Sequence, residues 1–119
     1  MNKRIKEVVI ITLIFTRSYF PPKQGSLVGE KYIDWLKNNP PDKSIEKTIC
    51  IGVKSTEEGD TFVIGIGQIM KGKEKEALER ITQQNLFMAT EVEGFKAKSE
   101  IILDFTEAYK IIGMTAPEV

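Results

Sequence analysis

The chain has 119 residues, 41% of them hydrophobic and 29% charged, with 17 basic and 17 acidic side chains. That size and balance describe one globular domain and argue against a disordered, collagen-like or membrane-embedded chain. A formal net charge of zero, with only Arg4, Arg17 and Arg80 as guanidinium forks, argues against a nucleic-acid partner, whose phosphates call for a basic footprint.

Histidine is absent and Cys50 is the sole cysteine. The commonest general base, zinc ligand and haem ligand is therefore missing, and neither an intrachain disulfide nor a thiolate zinc cage can form. The expectation is a protein with no metal and no cofactor, in a reducing cytoplasm. At the N-terminus, Lys3, Arg4 and Lys6 ahead of Val8 to Phe15 imitate a signal peptide. The apolar run is far shorter than the ~20 residues that span a bilayer. It also lacks a small-residue cleavage site, and its β-branched Val8 to Ile11 suit a buried strand. No membrane partner is expected.

Glu7 to Thr16 is almost continuously apolar, which predicts a central strand buried on both faces. Arg17 to Gly25, with Pro21 and Pro22, reads as a loop. Ser26 is placed to cap a helix to about Asn38, whose stripe is Val28, Tyr32, Trp35 and Leu36. Pro40 and Pro41 end it.

From Ser44 the period becomes two. Ile45, Ile49, Ile51 and Val53 are expected on one face, and Glu46, Thr48, Cys50, Gly52 and Lys54 on the other. A turn at Thr56 to Asp60 returns the chain as Thr61 to Met70, with Phe62, Ile64 and Ile66 opposite Val63, Gly65, Gly67 and Ile69. A second helix spans about Lys73 to Met88, with Ala77, Leu78, Ile81 and Met88 inward and a Glu76 to Arg80 pair outward. Phe95 to Leu103 is the fourth strand. Asp104 and Glu107 have capping-box spacing for a short final helix that Gly113 closes.

Strand, helix, strand, strand, helix, strand is the ferredoxin-like order: an α+β fold in which two helices cover one face of a four-stranded antiparallel sheet, here with a short C-terminal helix added. One domain, residues 1–119 with its core at about 7–112, accounts for the chain. The other sheet face needs a cover, and a twofold-related copy supplies one, so a homodimer is expected.

The order of elements, the paired prolines after the first strand, the helix ending in Trp35 and Leu36, and the run Ile101, Ile102, Leu103, Asp104, Phe105 resemble the dimeric α/β-barrel superfamily, in particular a family of uncharacterised small domains within it. The resemblance covers about Glu7 to Ile112. It implies two facing ferredoxin-like sheets, with a pocket between each sheet and its helices or loops. Members include quinone-forming monooxygenases, ring isomerases and haem-handling proteins. Those that use histidine cannot be models for this chain, and no catalytic residue is carried over.

Candidate site residues cluster on the less apolar strand face, which is expected to be the one the helices leave uncovered. Gly52, Gly65 and Gly67 leave room for a ligand or for close sheet packing. Thr48, Cys50 and Val63 share that face, and Cys50 is expected as a buried, inert thiol. Arg17 and Tyr19 form a polar and aromatic rim. Tyr32 and Trp35 are assigned to the core.

Gly67 to Lys73 matches phosphate-loop spacing, but Glu74 stands where a magnesium-binding hydroxyl belongs. Glu57, Glu58 and Asp60 read as a solvated turn. The expected function is thus a homodimeric domain holding a small apolar ligand in its barrel. The alternative is a cofactor-independent monooxygenase or isomerase acting on an aromatic or quinone-like molecule, with Arg17, Tyr19 or Asp104 doing the polar work. A nucleic-acid platform is disfavoured, because Phe62 is the one aromatic of the third strand.

Overall fold

A computed structural model describes residues 11–119. The strand start expected at Glu7, and the charged and apolar segment before it, lie outside the described residues. The elements are β1 (Thr12–Phe20), a 3-10 turn (Pro22–Gln24), α1 (Gly25–Asn38), β2 (Glu46–Ser55), β3 (Thr61–Ile69), α2 (Glu74–Glu91), β4 (Lys96–Leu103) and α3 (Phe105–Ile111). All strand pairs are antiparallel and the sheet order is β2-β3-β1-β4, which is the ferredoxin-like arrangement. β1 is central as expected, but it extends through Arg17, Ser18, Tyr19 and Phe20. The sequence predicts loop for these four residues. Tyr and Phe favour a pleated, half-buried surface, and the strand stops only where Pro21 has no amide to give.

The helices begin differently from their sequence signals. α1 grows directly out of the 3-10 turn and no side chain caps it, so Ser26 lies within the helix and does not cap it. At its other end Asn39 donates its backbone N–H to the Trp35 carbonyl at 2.8 Å and its side-chain amide to the same oxygen at 3.1 Å, which uses an acceptor the helix leaves free. α3 starts as its spacing predicted: the Asp104 carboxylate accepts the Glu107 N–H at 2.8 Å. Gly113, at φ +72°, closes it in a left-handed turn that other residues rarely adopt.

One core cluster joins Ile14, Ile69 and the fully buried Ala77, flanked by Ile45, Leu78 and Ile81. Phe20, Met88 and Val92 are buried farther along, with Phe20 stacked on Phe95 at 6.2 Å. Side chains of this kind contribute roughly 1.5–3 kcal/mol each when fully removed from water. α2 packs on β4, and α1 packs beside α2. The helix layer therefore leans toward the β4 side and leaves β2 poorly covered: Ile49, Ile51 and Val53 are all more than half exposed.

One irregularity decides which side chains share a face. On β2, Thr48 pairs with Gly67 and Cys50 with Ile66, so Ile49 is an extra residue in a β-bulge. The pleat slips by one there. Glu46 and Thr48 before the bulge, and Ile51 and Val53 after it, all join Val63, Gly65 and Gly67 on the helix side. Cys50, Gly52 and Lys54 go to the open face with Phe62, Ile64 and Ile66. The expected facing is corrected in two respects: β2 does not keep one alternation along its length, and the glycines of β3 lie beneath the helices.

A candidate ligand cavity between sheet and helices

The leaning helix layer and the small residues of β3 leave a cavity of about 330 Å³ between them, within the size range of small-molecule sites. Its floor is Thr16, Ser18, Val63, Gly65 and Gly67, and its roof includes Val28, Tyr32, Trp35, Ile81 and Met88. A Cβ added at Gly65 would meet no atom within 4 Å. The bare backbone there is open floor. At Gly67 a Cβ would collide with the carboxyl of Glu46, so this glycine is what allows the Glu46 side chain to lie across the strand.

The polar groups of the cavity have two settings. In the middle of the sheet, the Thr16 and Ser99 hydroxyls hydrogen-bond at 2.8 Å, and the Asn85 amide donates to Ser99 at 2.9 Å. This chain of bonds fixes α2 over β4. Where β2 begins, Glu46 and Arg80 both line the cavity. Arg80 donates to the Pro40 carbonyl at 2.8 Å. It does not form the expected pair with Glu76; the bond ties α2 to the loop after α1. Burial pushes the Glu46 carboxyl above the usual glutamate range, and the Arg80 guanidinium opposes that rise. Asp42, an exposed residue that also lines this end of the cavity, is held below its usual range by hydrogen bonds from Ser44.

Of the residues singled out in the sequence, Thr48, Val63, Gly65 and Gly67 line this cavity, and Tyr32 and Trp35, assigned to the core, form part of its roof. The other four lie on the opposite sheet face. Arg17 pairs with Glu100 at 2.8 Å and sits 6.0 Å from the Phe15 ring. Tyr19 stacks on Phe62 at 4.8 Å, with the Lys54 ammonium 5.6 Å from that same ring. Gly52 and Cys50 belong to that face too. Cys50 is exposed in the single chain, because the bulge turns it away from the helices onto the open face.

Glu46, Arg80, Ser18 and Asn85 were missed. Glu46 carries no local signal of its role; only the Thr48/Cys50 slip and the glycine across the ladder bring it inward. Among the described residues no group of three or more Cys, Asp or Glu side chains is placed to hold a metal ion, and no helix is long and apolar enough to cross a membrane.

No family model matches the chain, and no curated protein matches it. Among solved structures it is similar to the de novo designed protein Foldit4, at 9% identity over 79% of this chain and 98% of that one, with a TM-score of 0.53. A second similarity, to the C-terminal domain of the MgtC protein from Mycobacterium tuberculosis, has 8% identity over 76% and 88% of the two chains and a TM-score of 0.48. At such identities likeness concerns fold and transfers no function. The strand order itself is read directly from the sheet.

Proposed function

We propose that this domain binds a small, mostly apolar molecule in the cavity between sheet and helices, and that it acts as a homodimer whose copies cover each other's open sheet face. The observation that carries the binding reading is the cavity itself: about 330 Å³, walled by Val28, Tyr32, Trp35, Ile81 and Met88 and floored by glycine backbone, with its ionisable groups gathered at one end. Apolar walls with a few convergent polar groups are the usual form of a small-molecule site. The dimer reading is supported by Leu13, Phe15, Ile64, Ile66 and Ile102, which the register places on the open face, and by the exposed Phe105, Ile111 and Ile112 of the C-terminal segment. Native mass spectrometry of protein purified without added ligand is expected to retain a small-molecule mass. An empty protein that is also unstabilised across a metabolite screen would overturn the binding reading.

Glu46 favours a second reading, a cofactor-independent isomerase or monooxygenase. A half-buried carboxyl with a raised pKa, facing an apolar cavity, is suited to taking a proton from bound substrate. Arg17 and Tyr19 face away from the cavity, and Asp104 is engaged in capping α3, so the residues first considered for polar work are replaced by Glu46. Under this reading Glu46→Gln abolishes turnover while leaving binding in place.

A further inference from the structure

The polar end of the cavity restricts what its occupant can be. Glu46 and Arg80 line the same space, and Arg80 interacts electrostatically with Glu46. Among the described residues neither is held in an ion pair with the other or with a third side chain. Arg80 uses one nitrogen on the Pro40 carbonyl, which leaves donors on its fork to spare. Glu46 is an acceptor when ionised, and Gly67 gives it the room to lie over the sheet. A ligand carboxylate entering this end would meet Glu46, and a ligand ammonium would meet Arg80. Either like-charge approach is costly where solvent is partly excluded. An uncharged group that both donates and accepts a hydrogen bond fits both residues at once.

We infer that the ligand is an apolar molecule with one uncharged hydroxyl or amide head, which donates to the Glu46 carboxylate and accepts from the Arg80 guanidinium while its body lies along Tyr32, Trp35 and Met88. This rests on the cavity being a binding site. Because hydrogen bonds to charged groups contribute more than neutral ones, each matched contact at the head changes affinity by about 10-fold or more.

Trp35 is the only tryptophan of the chain and lines the cavity, so its fluorescence reads occupancy directly. The test titrates the full chain with 1-octanol, octanamide, octanoate and octylammonium, probes that share one apolar body. The alcohol and amide are expected to perturb Trp35, and the two ions to bind about 10-fold more weakly or worse. In Glu46→Gln, octanoate gains affinity relative to octanol; in Arg80→Gln, octylammonium does. Circular dichroism checks that each variant is folded, and the wild-type ranking stands without them. If an ion binds as tightly as octanol, the head-group assignment is wrong although the cavity still binds. If none of the four perturbs Trp35, both the assignment and the cavity reading fail.

Discussion

Glu46 shows how one side chain's environment becomes a measurable pH dependence. Its carboxyl is pushed above the usual glutamate range by burial, with Arg80 as the opposing charge. A group whose folded pKa exceeds its unfolded one favours folding most at low pH, and that contribution is lost as pH rises through the raised value. Asp42 has the opposite sign: its lowered pKa favours folding above the ordinary aspartate value, and the benefit is lost as pH falls below it. The two windows are therefore separate. Between about pH 4.5 and neutrality, where only the Glu46 contribution changes between these two, Glu46→Gln is expected to remove part of the decline in denaturation midpoint with rising pH. An unchanged slope in the variant would show that Glu46 is not desolvated. Sequence gave no warning of this residue, since an acid at a strand start usually faces water.

At the scale of elements, local chemistry and long-range pairing contributed unequally. The α3 cap was legible because Asp104, Glu107 and Gly113 act within one helical turn or just past it. Asp104→Ala removes the acceptor for the Glu107 N–H and is expected to cost about 1 kcal/mol in local helix stability. Amide exchange at Glu107 to Ile111 should accelerate several-fold while β1 amides stay protected; equal protection in both forms would mean the cap contributes nothing.

β2 is the contrary case. Its period of two was visible, but the slip between Thr48 and Cys50 depends on β3 as its neighbour. Thr48, Val63, Gly65 and Gly67, expected on the open face, consequently lie beneath the helices, while Cys50 and Gly52 lie on the open face as expected, on the same side as Arg17 and Tyr19. The β1 end was missed for a simpler reason. Arg17 and Ser18 look like loop until pairing with β3 and β4 on both sides holds them extended.

For the whole molecule the question is what covers the open sheet face. Its centre is apolar through Phe15, Ile64 and Ile66, and its margin carries the Arg17 to Glu100 pair and the Lys54 contact with Phe62. The proposed dimer predicts twice the chain mass by light scattering. Ile66→Lys, on a central strand and facing outward, should yield a folded monomer, because an unpaired ammonium resists burial in a shared interface. A wild-type chain that is monomeric at all concentrations would remove the dimer and leave the cavity, which lies on the other side of the sheet, untouched by that result.

Sequence by itself determined the kinds of element, their order and hence the ferredoxin-like α+β fold, because helix and strand periods, proline stops and glycine turns are properties of a few neighbouring residues. It also determined that these 119 residues offer no histidine and no intrachain disulfide, which is a matter of composition. Only the tertiary structure decided which strand faces meet the helices, since a one-residue slip at Ile49 inverts every later side chain of β2 and is fixed by the register with β3. The same register brought Glu46 over Gly67 and opposite Arg80. Those residues come from three elements, and their chemistry as a site exists only once the sheet and the helix layer are assembled.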